Sequence, residues 1–226
     1  MSRIVKYLAI ATTASVMAVS AQAATMDLVH EGDDLWGQPS LHEDVFVTYG
    51  GVRWGVGAGV MRLMDTVSGS AIIAFCVDVT RLITNQPGEY QVSDSWFAPA
   101  VTANIQALFN TAYATVDSAA SAAGFQMALW EIITEQEGNA LSRTAGAFKV
   151  RGTVEANAYA DSYLAGLTGP ETQQYRLTFL DSMTSAPAGY GQDLVAVAPV
   201  PLPASVLLLG GALAGMGALR RRKNNA

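Results

Sequence analysis

The sequence predicts an α+β fold, in which antiparallel strands pack against a small helical cluster. A signal peptide precedes this body and a C-terminal transmembrane helix follows it. Three observations carry the prediction. Apolar residues alternate in short Gly-punctuated runs such as "DVFVTYGG" and "SAIIAFCVDVT", the pattern of half-buried strands. The period changes to that of a helix from Pro99 onward. Strand-like runs then return in "QYRLTFLDS" and "QDLVAVA". Strands, then clustered helices, then strands place the body in the α+β class.

The elements follow in order. Residues 24–70 read as strands joined by turns. "SAIIAFCVDVT" is the strongest strand, rich in β-branched and aromatic residues. Alternation puts Ile73, Phe75, Val77 and Val79 on one face and Ala74, Cys76, Asp78 and Thr80 on the other. "TNQPGEYQV" reads as a turn centred on Pro87-Gly88. In "AVTANIQALFNTAYATV", Ile105, Leu108, Phe109 and Ala112 recur at helical spacing. A second helix starts at Asp117 or Ser118 as N-cap and stops at Gly138-Asn139. A third, "TVEANAYADSYLAGL", ends at Gly169-Pro170.

The two ends read as export signals. Residues 1–23 hold a basic start (Arg3, Lys6), an apolar core from Leu8 to Val19, and the small-residue site Ala21-Gln22-Ala23. That is the layout of a secretory signal peptide cut between Ala23 and Ala24. An uncut anchor is the alternative, but the apolar core is short for a spanning helix. At the other end Ser205 to Leu219 is uncharged and apolar, and Arg220, Arg221, Arg222 and Lys223 follow at once. With Val200 to Ala204 included, the run approaches the roughly 20 residues that cross a membrane. The basic cluster belongs on the cytoplasmic side. A buried core helix with a basic tail would not explain four cations against its end.

Val200-Pro201-Leu202-Pro203-Ala204, the Gly-rich apolar segment and the terminal Arg cluster resemble the PEP-CTERM sorting signal in its VPLPA variant. Leu202 stands where the parent pattern has glutamate. The resemblance implies processing by a membrane exosortase-type enzyme and association with the cell envelope and extracellular polysaccharide. The implied path runs from an inner-membrane-anchored precursor to the cell surface or matrix.

Residues 24–199 form one domain by size. They carry 7 Lys and Arg against 19 Asp and Glu, a net charge of −12. Such a surface suits neither nucleic acid nor anionic headgroups. The chain has one cysteine. In an exported protein a single cysteine cannot pair within the chain, so it is buried and inert, linked to another chain, or chemically used. His30 and His42 lie early, without ligand spacing for zinc and without a motif for a cysteine hydrolase. No metal, no cofactor and no enzymatic activity is expected.

Gln126 poses the sharpest question. On its helix Phe125, Leu129, Ile132 and Ile133 define the apolar stripe, and Gln126 lies about 20° from Ile133 and about 40° from Trp130. A carboxamide there needs partners or costs roughly 1–3 kcal/mol. Gly124 and its small neighbours are expected to admit a strand close to the helix. The Trp130-Glu131 pair reads as packing beside a solvated charge.

Phe75-Cys76-Val77-Asp78 and Phe125-Gln126-Met127-Ala128-Leu129-Trp130-Glu131 resemble the two halves of a Cys-Gln thioester domain of Gram-positive surface proteins. Gln126, Ala128 and Trp130 match that pattern, and Phe125 replaces its threonine. The resemblance implies a cross-link between Cys76 and Gln126, formed with loss of ammonia. Its partner would be an amine or hydroxyl on another surface or on polysaccharide. Phe75, Leu129 and Trp130 would wall an apolar pocket that slows hydrolysis, and Asp78 would orient the thiol or a proton. The competing reading is a non-covalent structural envelope or matrix protein with a free buried cysteine.

Overall fold

The computed structural model describes residues 24–32, 35–81, 88–135, 138–167, 173–183 and 191–200. The signal-peptide residues Ala21 and Ala23 and the motif residues Pro201, Leu202, Pro203 and Ala204 lie outside these ranges. So do the cluster Arg220, Arg221, Arg222 and Lys223 and the expected C-terminal helix. No described helix is long and apolar enough to cross a membrane.

Nine strands and three helices follow one another in the described residues. They are β1 (Thr25–His30), β2 (His42–Tyr49), β3 (Val52–Gly59), β4 (Met61–Asp65), β5 (Ala71–Cys76), β6 (Gly88–Ser93), α1 (Pro99–Ala112), α2 (Ala119–Thr134), β7 (Phe148–Arg151), α3 (Val154–Ala165), β8 (Tyr175–Ser182) and β9 (Leu194–Pro199). The α+β expectation is met in its coarse form, a sheet-rich body with three helices. Two strands differ from the sequence reading. β6 occupies part of the stretch read as a turn, and β7 lies where no strand was expected.

Six strands close into an antiparallel barrel in the order β1-β4-β5-β9-β8-β6, with β6 returning to β1. Closure removes the unpaired edges that an open sheet of this size would expose. Alternation sorts the side chains. Ala74, Cys76, Leu180, Leu194 and Ala196 join an inner core with Leu28, Leu63 and Tyr90. Phe75, Val77, Phe179 and Val195 point outward into a second core under the helices. The remaining strands form a separate sheet, β3-β2-β7.

Helix α2 divides the two cores. Ala123, Met127 and Trp130 belong to the first core, with Val45, Val47, Phe148 and Val150 of the three-stranded sheet. Ala122, Phe125, Ala128, Leu129 and Ile132 belong to the second, with Ile105, Leu108 and Phe109 of α1. Every residue from Ala120 to Ile132 is buried. The expected single apolar stripe is therefore replaced by burial on all sides, the mark of a central helix.

Its start is a capping box built from two serines. Ser118 Oγ accepts from Ser121 N at 3.1 Å, and Ser121 Oγ accepts from Ser118 N at 2.9 Å, which satisfies two orphan donors of the first turn. At the other end the helix stops at Thr134, ahead of the expected Gly138, because Glu135 turns to extended backbone. The close approach at Gly124 is made by α3 and not by a strand. A Cβ there would lie 2.5 Å from Tyr159 Cβ and 2.9 Å from the Ala156 carbonyl oxygen.

Candidate functional site

Cys76 is the last residue of β5, paired with Leu194 of the neighbouring strand β9. Gln126 sits in the middle of α2, 1% exposed. The two meet directly. The Cys76 backbone N–H donates to Gln126 Oε1 at 2.9 Å, and Gln126 Nε2 donates to the Cys76 carbonyl oxygen at 2.8 Å. The carboxamide therefore lies clasped across the backbone of the residue that carries the only thiol. Each polar atom of this buried amide has a partner, and its carbonyl is polarised by a fixed donor.

The thiol is 3% exposed. Its Sγ accepts the Asp78 backbone N–H at 3.3 Å. Burial pushes its pKa up to about 12, against the opposing pull of the Trp130 indole and the Asp78 N–H. Trp130 Nε1 is close enough to stabilise the thiolate, yet it completes no hydrogen bond within bonding distance. It is thus a buried donor without a hydrogen bond on the helix that carries Gln126. Trp130 stands one turn after Gln126, so α2 supplies both the amide and this donor.

A partly enclosed cleft of about 250 Å³ reaches the pair, lined by Leu35, Trp36, Gly57, Met61 and Gln192 besides Cys76 and Gln126. Gly57 is needed where it stands, since a Cβ would meet Trp36 Cζ2 at 2.5 Å. Trp36 stacks on His42, with ring centroids 4.3 Å apart and planes 7° from parallel. His42 in turn is hydrogen-bonded to Ser40 Oγ at 2.7 Å. The imidazole is thereby one ring removed from the cleft.

The three residues expected to wall the pocket separate. Trp130 shares the inner core with Cys76. Phe75 and Leu129 lie in the other core, where Phe75 packs against Phe109 and Phe125 at 5.6 and 4.7 Å. Strand alternation turns Phe75 away from its neighbour Cys76, and Leu129, about 60° round the helix from Gln126, faces the second core. The Asp78 carboxylate is engaged by the Thr80 hydroxyl at 2.6 Å and by Arg81 at 3.3 Å, and the hydrogen bond to the sulfur comes from its backbone N–H.

Sequence reasoning missed Tyr90 and Asp193. Both lie within electrostatic range of Cys76 and of each other. Burial pushes the Tyr90 phenol up to about 12 and raises the Asp193 carboxyl above its ordinary range. Asp193 Oδ1 accepts from Ser182 N at 3.0 Å, and its carbonyl accepts from Val77 N at 2.9 Å. No spacing signal could announce them, because the barrel closure that brings β6 and β9 to β5 is a tertiary event. Among the described residues no group of three or more His, Cys, Asp or Glu could hold a metal.

One carboxylate near the site also departs from expectation. Glu131 is fully buried rather than solvated. The chain after α2 folds back over it, so that Ser142 N donates to Glu131 Oε1 at 2.7 Å while Oε2 has no partner. Desolvation raises its pKa to about 7, opposed by the Ser142 bond and assisted by the charge of Glu135.

Compared with known proteins, the sequence matches no family model and no curated protein. Solved structures that are similar in part include two surface-protein domains. The N-terminal domain of the Streptococcus pyogenes pilus tip adhesin Cpa has 14% identity and a TM-score of 0.39, covering 64% of this chain and 85% of that one. The N-terminal thioester domain of a surface protein from Clostridium perfringens, a cysteine-to-alanine mutant, has 11% identity and a TM-score of 0.42. It covers 62% of this chain and 89% of that one.

Proposed function

We propose that Cys76 and Gln126 form an internal thioester, and that the chain is an exported surface or matrix protein which uses it to couple covalently to an amine or hydroxyl on a partner surface. The observation that carries this reading is the clasp of the Gln126 carboxamide across the Cys76 backbone. It fixes the amide against the backbone of the residue that carries the sulfur, and orientation that brings the two reacting atoms together lowers the barrier of an intramolecular attack by several kcal/mol. In the reaction Sγ bonds to Gln126 Cδ, the Cδ–Nε2 bond breaks, and ammonia leaves with the thiol proton. The Cys76 N–H on Oε1 stabilises the oxyanion of the intermediate.

With a pKa of about 12, the resting thiol is protonated and its proton must depart during attack. Asp193 is the carboxylate suited to assist, since Asp78 is held by Thr80 and Arg81. The cleft beside Trp36 and Gly57 would admit a small amine to the finished bond. Export rests on the signal-peptide pattern. Sorting by an exosortase-type enzyme, with a membrane-anchored precursor, rests on the VPLPA tail.

A second reading is a structural, non-covalent protein with a free cysteine. It is favoured by the hydrogen bond on each polar atom of Gln126 and the low acidity of the thiol, which suit an inert buried pair. Intact mass separates the two. The thioester form of the processed protein is lighter than its sequence by one ammonia, and iodoacetamide labels Cys76 only after methylamine has opened the bond. Full mass, with no deficit in protein freshly isolated from its native envelope, would leave the structural reading.

A further inference from the structure

The exported body is strongly acidic, yet four of its seven cations converge on one place. Arg53, Arg143, Lys149 and Arg151 line a cavity of about 300 Å³ on the outer side of the three-stranded sheet, together with Phe46 and Thr48. Strand register explains the gathering. Thr48 pairs with Arg53 on one side and Lys149 on the other, while Phe46 pairs with Gly55 and Arg151. Alternation turns Val45, Val47, Phe148 and Val150 into the core, so the intervening residues face out. Arg53 and Lys149 are then two strand spacings apart, roughly 10 Å, and Lys149 and Arg151 about 7 Å apart along β7.

These cations are differently disposed. Arg143 is neutralised, its Nη2 and Nε meeting the two Asp161 carboxylate oxygens at 2.9 and 2.8 Å. Arg53 lies over the Phe46 ring, 4.4 Å from the centroid, which holds the guanidinium in place. Arg53, Lys149 and Arg151 are exposed and make no ion pair among the described residues. Asp44 sits on the same face of β2, beyond Phe46, opposite Gly57. Phe46 itself is 53% exposed, and Gly55 beside it adds no side chain, which leaves the ring's edge and the neighbouring backbone as a flat apolar shelf.

We propose that this outer face, with Arg53, Lys149 and Arg151 around Phe46, is a binding site for a carboxylate-bearing carbohydrate chain. Three like charges held this close repel one another, and the arrangement becomes favourable once an anion lies among them. Their spread over about 7–10 Å suits separate carboxylates along an extended chain rather than one phosphate gripped at a point. The net charge of the body opposes a densely charged polyanion such as nucleic acid. The Phe46 shelf suits the C–H face of a sugar ring, and the Thr48 hydroxyl suits its hydroxyls. This site shares no side chain with the Cys76–Gln126 pair and stands whether or not a thioester forms.

The test uses the full chain and its Cys76→Ala form, titrated calorimetrically with a hexameric oligogalacturonate, with the methyl ester of that oligomer, with hexaglutamate and with inorganic phosphate. The expected result is binding of the oligogalacturonate that weakens about tenfold or more as salt screens the contact, equally in both forms. The methyl ester, hexaglutamate and phosphate are expected to bind at least tenfold more weakly. The triple variant Arg53→Gln, Lys149→Gln, Arg151→Gln abolishes binding. Phe46→Leu, which keeps bulk but removes the ring, weakens it several-fold, an effect a bare charge patch would not show. Undiminished binding by either variant, or equal binding of the ester, hexaglutamate or phosphate, overturns the proposal. So does the absence of oligogalacturonate binding at low salt.

Discussion

Glu131→Gln offers a quantitative test of how α2 is buried. In the native protein Glu131 is fully enclosed and its pKa stands at about 7, raised from 4.5 chiefly by desolvation. A carboxyl whose folded pKa is raised favours the folded state only while it is protonated. Its contribution is complete below pH 4.5 and is lost as pH rises towards and through 7. At 1.36 kcal/mol per tenfold change in acidity, the gap amounts to about 3 kcal/mol. Glutamine keeps an oxygen to accept from Ser142 N and never ionises. The stability difference, variant minus native, is therefore expected to rise by about 3 kcal/mol between pH 4.5 and pH 8. Other titrating groups cancel in that difference. For a body of this length the change corresponds to roughly 6–12 °C in relative Tm. Thermal unfolding followed by circular dichroism at half-unit pH steps measures it. Two melting profiles that stay parallel from pH 4.5 to 8 would refute the reasoning.

Three further outcomes are expected. In the Cys76→Ala background, where no covalent bond can form, Gln126→Ala strands the residue 76 N–H and carbonyl without partners and lowers stability by roughly 2–6 kcal/mol in urea titrations. Loss below about 1 kcal/mol would mean that water replaces the clasp. Gly124→Ala gains about 1 kcal/mol of helix propensity, but its Cβ meets Tyr159 Cβ and the Ala156 carbonyl, neither of which can swing aside. Overpacking of about 1–3 kcal/mol or more wins, and Tm falls; an unchanged or higher Tm contradicts that packing. Asp193→Asn retains the acceptor for Ser182 N, so its Tm stays close to native while a smaller fraction of the isolated protein lacks one ammonia. An unaltered fraction would remove Asp193 from the proton path.

The sequence displayed the Cys76 strand and the Gln126 helix because each has a strong local period and good boundary chemistry, such as the Ser118 cap. It displayed their meeting only through two short motifs, since nothing local relates residues 76 and 126. One error was avoidable. Period-two alternation already set Phe75 opposite Cys76, so Phe75 did not belong in one pocket with that pair, whereas Leu129, only about 60° round the helix from Gln126, is taken out of it by how α2 packs between the two cores. Other features were hidden in principle. β6 is six residues beginning at the glycine of a Pro-Gly turn signal, and β7 is four residues long. Both become strands because β1, β8 and β2 offer them partners. The cationic face combines Arg53 with Lys149 and Arg151, almost a hundred positions away, and no window along the chain contains both.

The clasp at the end of β5 also bears on how such a body would carry load. Its two residues are 50 positions apart, and β6 and α1 lie between them. At about 3.4 Å per extended residue, a covalent bond there would withhold roughly 170 Å of slack. Tension applied between the two ends of the body would pass from strand to helix through that single bond, leaving the intervening segment outside the line of force. A tether built in this way would yield by letting out its flanks while its centre kept its length.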